Sequence, residues 1–422
     1  MMDVPLEEGN LLLRTLTLSA LALTLLFALA PVAGGKNSSA PYSTDYNAWR
    51  SFGTWSTTGA GTSVTADGRL TLGLGTQTGS DTAGAYYGGN FYNAGTYTVG
   101  EATSTWQTPD TPYTEAIASW NADTPPGTWV ETLIRARFGT RETKWYNLGV
   151  WAADIGTVKR HSVRLQGDTD GYVGVDTLVL NGKKAPPADS YQIKLRLFTT
   201  NAASPTVRYL SVATSTAAPG TAAHAPSSGM AAGVLLNVPQ HSQMVYPDGG
   251  NVWCSPTSLS MVLASYGAFD PAWSIELRVR DTVGGVYDWI YDGHGNWPFN
   301  TAWAATKTTA SGTSLEGSIA RFTSLNQVED WVAAGVPVIF SFAWTKGSLT
   351  GSAIPSSDGH IAVIVGFDAA GNPIVNDPAA ASNEAVQRTY DRTELETVWL
   401  EASGGTVYLV YPRGTTGLPA LG

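Results

Sequence analysis

The chain has one cysteine in 422 residues, Cys254. An intrachain disulfide and a site with two thiolate ligands are therefore both excluded. Charge is scarce as well. Charged residues make up 14% of the chain, and 34 acidic against 24 basic side chains leave a net charge of −10. No basic stripe exists to track a phosphate backbone, which argues against a nucleic-acid partner. Asp168-Thr169-Asp170-Gly171-Tyr172 looks like a piece of a calcium loop, but the remaining ligands and the closing glutamate are missing. Neither a metal nor a cofactor is expected. Only one run, near the N-terminus, is apolar over a length that bears on membranes.

What the chain does have is apolar and aromatic. It is 43% hydrophobic, with 46 glycines, 15 tryptophans and 18 tyrosines. This length suits two or three domains, and the composition reads as β-rich and extracellular in flavour. Arg14 precedes Thr15–Ala30, a stretch without charge, and small residues with Pro31 follow. Residues 1–35 are expected to be a secretory signal peptide, which makes the protein secreted or extracytoplasmic. The run falls short of the roughly 20 apolar residues a spanning helix needs. Because Asp3, Glu7 and Glu8 outnumber Arg14, an uncleaved N-terminal anchor is the alternative.

Residues 41–213 read as short strands separated by turns. In Tyr191–Phe198, Tyr191, Ile193, Leu195 and Leu197 alternate with Gln192, Lys194 and Arg196, the pattern of a half-buried antiparallel strand. Val130–Phe138 alternates too. Gly68–Leu74, Tyr146–Trp151, Ser162–Leu165, Val175–Leu180 and Val207–Val212 are further candidates, and Asn181-Gly182 is a tight-turn signal. The expectation is an all-β sandwich of jelly-roll type. Its tryptophans (49, 55, 106, 120, 129, 145 and 151) are candidate sugar-stacking platforms set against ordinary packing, so a carbohydrate or cell-surface ligand is a possible partner. Residues 214–233 lack periodicity and read as a flexible linker.

Residues 234–416 have another texture. Leu259, Val262, Leu263 and Tyr266 fall at helical spacing in Ser255–Tyr266, which Gly267 is placed to end. A second helix is expected over Leu325–Ala334. Val338–Phe342, Ile361–Phe367, Pro373–Asn376 and Thr406–Tyr411 read as strands. Helices set against an antiparallel sheet make an α+β domain.

Cys254 opens the first of these helices. Helix N-termini and imidazolium neighbours are where thiols become nucleophilic. The loop Asp368–Asn372 folds two strands into a hairpin that brings His360 and Asp377 to the same end. A carboxylate there can hold one imidazole nitrogen while the other serves a thiol. Asn376 is a substitute for Asp377, and His241 and His294 read as loop residues.

Val238–Gln243, Trp253–Ser258, Gly359–Val363 and Asn376–Pro378 together resemble cysteine peptidase family thirty-nine. This is the papain-like group that includes double-glycine leader peptidases, and the likeness is closer to its free-standing bacterial branch. It spans about residues 234–411. The resemblance implies a papain-like cysteine peptidase domain acting on a peptide or protein substrate. In that pattern Cys254 is the nucleophile, His360 the base, Asp377 its orienting group and Gln243 the oxyanion donor, with Gln240 as the alternative to Gln243. Cys-Ser-Pro stands where the family has Cys-Gly-Pro, and ten residues separate Gln243 from Cys254. The exporters' membrane and ATP-hydrolysing domains are absent, so leader cleavage does not carry over. Two other readings stand beside an exported thiol hydrolase: a non-catalytic cell-surface binding protein, and a cell-wall amidohydrolase or transpeptidase on the same fold.

Overall fold

The computed structural model describes residues 42–57, 59–81, 89–92, 95–181, 186–216 and 224–421. The expected signal peptide and Gly182 of the Asn181-Gly182 turn lie outside these residues. No helix among the described residues is long and apolar enough to cross a membrane.

The first region, residues 42–216, is built from two antiparallel sheets. One is centred on Glu115–Asp123 and Thr206–Ser215, the other on Thr128–Phe138 and Ser190–Thr199. Alternation explains their common core. Ala116, Ala118, Trp120 and Ala122 turn inward from the first sheet, and Val130, Ile134, Ile193, Leu195 and Leu197 meet them from the second. The alternating strands therefore form as their patterns predict. Ser162–Leu165 does not: it is not a strand, and Leu165 is 84% exposed at φ 60°. A tight turn falls at Val175-Asp176, between the paired strands Gly171–Gly174 and Thr177–Leu180.

Four of the seven candidate tryptophans, Trp55, Trp120, Trp129 and Trp151, are buried. Two others share a sheet face with cations. The Arg135 guanidinium lies 4.9 Å from the Trp106 ring and 4.8 Å from Trp145, and Arg137 lies 3.6 Å from Trp106.

The second region has a six-stranded antiparallel sheet with Val338–Trp344 and Ser357–Phe367 near its middle. Five α-helices lie in this region among the described residues: α1 (Cys254–Ser265), α2 (Ile275–Val286), α3 (Trp297–Ala304), α4 (Leu325–Ala333) and α5 (Arg392–Ser403). Both faces of the sheet are apolar because both are covered. Ile339, Ile361, Val363, Val365 and Tyr408 pack with α1 residues, whereas Phe340, Phe342, Ala362, Ile364 and Leu409 pack with α4 and α5. The interval read as linker opens with the last two residues of the strand ending at Ser215. Further on, His224 Nδ1 is 2.7 Å from Glu396, and Ser228 bonds Glu329.

The two regions share a core. Phe299 of α3 is fully buried among residues of the first region, with its ring 5.4 Å from Trp151 and 6.2 Å from Trp120. Gly149 admits it, since a Cβ at that position would lie 3.0 Å from the Phe299 ring. The outer edge of strand Leu315–Arg321 is also satisfied from the first region. Asn121 Nδ2 donates to the Gly317 carbonyl at 2.7 Å, and the Ile319 amide donates to Ser119 Oγ at 3.0 Å. These side chains occupy backbone groups that an open sheet edge would present to solvent.

Candidate active site

Cys254 is the first residue of α1. Trp253 occupies the cap position without a side-chain cap, and Pro256 sits in the first turn, where it removes no helical hydrogen bond. The leading N–H groups of the helix therefore point past Cys254. Two bonds fix the helix on the sheet: Ser258 Oγ donates to the Ile361 carbonyl at 3.0 Å, and Ser255 Oγ lies 3.2 Å from the Tyr408 hydroxyl. Ile361 follows His360, so the first of these bonds sets the thiol against the imidazole. The two side chains are close enough to interact electrostatically.

His360 Nε2 is 2.8 Å from Asp377 Oδ1, which leaves Nδ1 for the sulfur. The hairpin carries this geometry with an offset register. Val363 pairs with Asn376, and a bulge lies between Ile364 and Gly366. Gly366 takes the close approach of Val234 there, where a Cβ would come within 2.3 Å of the Val234 carbonyl oxygen. The Phe342 and Trp344 rings stand edge-on to the imidazole at 5.3 and 5.5 Å. His360 and Asp377 are buried, whereas Cys254 is partly exposed. Cys254 is thus the most accessible of the three.

Burial alone would lower the His360 pKa. The Asp377 charge and hydrogen bond, followed by Cys254, outweigh it and lift the imidazole to about 10. Burial pushes Asp377 upward, but His360, Tyr390 and the Ala379 amide together hold it below its ordinary value. Asp377 is fully engaged: Oδ1 also accepts from the Ala379 N–H at 2.9 Å, and Oδ2 accepts from the Tyr390 hydroxyl at 2.6 Å.

The linkage has a definite sign. The raised His360 contributes stability that is complete below its unfolded pKa of about 6.5 and lost as pH climbs through about 10. The depressed Asp377 contributes above about pH 4 and loses its share on acidification. Thermal melts of the wild type and Asp377→Asn are expected to differ most between about pH 4 and 6.5 and to converge toward pH 10.

Gln243 joins the remaining two segments. Its backbone N–H donates to the Pro378 carbonyl at 2.8 Å, and its side-chain Nε2 donates to the Gly250 carbonyl at 2.7 Å. It is thus tied to the loop after Asp377 and to the turn that leads into Cys254. Gly250 is required at that turn, because a Cβ would fall 2.0 Å from the Gln243 carbonyl oxygen. The Gln243 amide retains a second N–H. The interval 244–253 contributes Val245, Tyr246 and Pro247 to a cleft of about 400 Å³, completed by Ser274, α2 residues and Asn383. His241 is buried against Ser260 at 3.0 Å, and burial pushes it down to about 4. His294 stands edge-on to Trp253, with ring centroids 6.2 Å apart.

Residues 45–215 match the Peptidase C39 N-terminal domain, and residues 235–407 match the Peptidase C39 like family. The chain belongs to the C39-like peptidases. Membership in this peptidase family implies a peptide substrate. No curated protein matches the chain. One similar solved structure is described as "Structural basis for the promiscuous specificity of the carbohydrate-binding modules from the beta-sandwich super family". The identity is 11% and the TM-score 0.16, over 40% of this chain and 56% of that one. The match thus spans little more than half of that structure's length, and at this score the likeness carries no argument about fold or ligand.

Sequence reasoning missed Tyr390. Nothing in its local pattern marks it, because its role depends on the strand Gln387–Thr389 folding back beside Pro373–Asn376. Tyr390→Phe removes one donor to Asp377 while keeping the ring. Turnover is expected to fall by about tenfold, the value of roughly one hydrogen bond to a charged group. Steady-state kinetics across pH reads the effect.

Proposed function

We propose that this chain is an exported cysteine peptidase that works through a Cys254–His360–Asp377 triad. The reading rests most on one observation: a partly exposed cysteine at a helix N-terminus interacts electrostatically with an imidazole whose far nitrogen is bonded to a buried carboxylate. We read the second region as papain-like and the first as a β-sandwich.

The Cys254 sulfur attacks the carbonyl carbon of the scissile amide, forming a C–S bond and an oxyanion. The Cys254 N–H and the free N–H of Gln243 bind that oxyanion, each donor being worth about 3 kcal/mol. The imidazolium gives its proton to the departing nitrogen as the C–N bond breaks. Water then attacks the thioester while His360 takes its proton. The acid product leaves as the C–S bond breaks, which restores the thiolate and the imidazolium. Asp377 stays ionised throughout and holds the ring orientation.

Mass spectrometry of a casein digest tests the reading. New N-termini are expected with the native protein and none after alkylation of Cys254. Amide products formed with an added amine would instead indicate transpeptidation. Export is the reading of the N-terminal apolar run Thr15–Ala30. Protein in the culture medium that begins downstream of residue 30 would support it.

A further inference from the structure

The loop between α2 and α3, residues 287–296, faces two ways. On one side it is bonded to the first region. Asp288 is fully buried, and its carboxylate accepts from the Ser162 N–H at 3.0 Å, from the loop's own Ile290 and Tyr291 amides at 3.0 Å, and from Asn296 Nδ2 at 2.9 Å. The Trp289 N–H donates to the Arg160 carbonyl at 3.1 Å, and Arg160 Nη1 donates to the Gly284 carbonyl at 2.8 Å. Asp176, buried in the first region's Val175-Asp176 turn, accepts the Trp297 N–H at 2.7 Å where the loop enters α3. On its other side the loop meets the thiol's surroundings. His294 stands against Trp253, the residue before Cys254, and Tyr291 is close enough to Cys254 for the two to interact electrostatically.

We propose that the first region is part of the peptidase cleft: through Asp176 and Ser162 it fixes the loop 287–296 as the wall that orients an extended peptide over Cys254. Asp176 and Asp288 are then positioning residues. Tyr291 is the side chain that meets the peptide. This rests on the peptidase reading, and it gives the first region a task in the reaction other than ligand capture. Buried hydrogen-bonded carboxylates suit that task, because loss of an acceptor leaves buried N–H groups unsatisfied and the loop free to move. A displacement of about 1 Å in a substrate-positioning element costs up to roughly a hundredfold in rate.

The test compares two electrophiles on the full chain. Iodoacetamide needs only a reactive thiol. A tripeptidyl chloromethyl ketone must also be oriented by the cleft. The measured quantity is the ratio of their second-order labelling rates at Cys254. Asp176→Ala and Tyr291→Ala are each expected to lower the ratio about tenfold or more with the iodoacetamide rate unchanged. Asp176→Asn keeps an acceptor for the Trp297 N–H, and since burial lifts Asp176 to about 7 the amide is a fair stand-in; it is expected to restore the ratio. An unchanged ratio in Asp176→Ala, a parallel fall of both rates, or an Asn variant indistinguishable from Ala would each overturn the proposal. Failure of the peptidase reading appears separately, as wild-type iodoacetamide labelling that does not depend on His360.

Discussion

Cys254→Ala is expected to abolish peptide hydrolysis, a loss of about ten-thousandfold or more, and to change stability by less than about 1 kcal/mol. The two halves of this expectation have separate causes. Cys254 is the chain's only thiol, so no other side chain can form the thioester. The pair behind it does not need the sulfur to stay in place. Asp377 keeps its bonds to His360, Ala379 and Tyr390, and the imidazole keeps its contacts with Phe342 and Trp344. Cys254 is only partly buried, so its truncation leaves no closed cavity. Casein turnover and a thermal melt on the same preparation check both halves. Residual turnover at more than a few per cent of wild type would remove Cys254 from the mechanism.

The largest stability effect is expected at Phe299→Ala, about 3–5 kcal/mol. The ring belongs to a helix of the second region but is buried in the core of the first, against Trp120 and Trp151. The cavity would open between the two regions, and Gly149, which already makes room for the ring, offers no side chain to fill it. Both regions are therefore expected to unfold together at a lower denaturant midpoint, read from the buried tryptophans by fluorescence. A loss below about 1 kcal/mol, or two separated transitions with one unchanged, would show that the regions do not depend on this contact.

Local pattern disclosed much of this structure and long-range contact the rest. Alternation in Tyr191–Phe198 and Val130–Phe138 marked two central strands, because a sheet with one face on the core imposes a period of two. The expected helix at Ser255–Tyr266 is found as Cys254–Ser265, ended by Gly267 at φ 65°. The strands Gly95–Thr103 and Glu115–Asp123 escaped notice. Glu115–Asp123 does alternate, but its inward positions are mostly alanine and its outward ones include Asn121 and Asp123, residue types with weak strand preference. Ser162–Leu165 misled for another reason: its backbone serves a loop, with the Ser162 N–H bonded to Asp288. At the site, the tie from His360 to Asp377 was legible from one hairpin. Tyr390 and the loop 287–296 were not, since their places are set by contacts that no local spacing encodes.

The pairing of thiol and imidazole is tested most directly by the rate of Cys254 alkylation by iodoacetamide at pH 6, compared between the wild type and His360→Ala. At that pH His360, with its pKa raised to about 10, is protonated and interacts with Cys254. The account predicts alkylation at least about tenfold faster in the wild type, because an adjacent imidazolium favours the thiolate. Equal rates would contradict it.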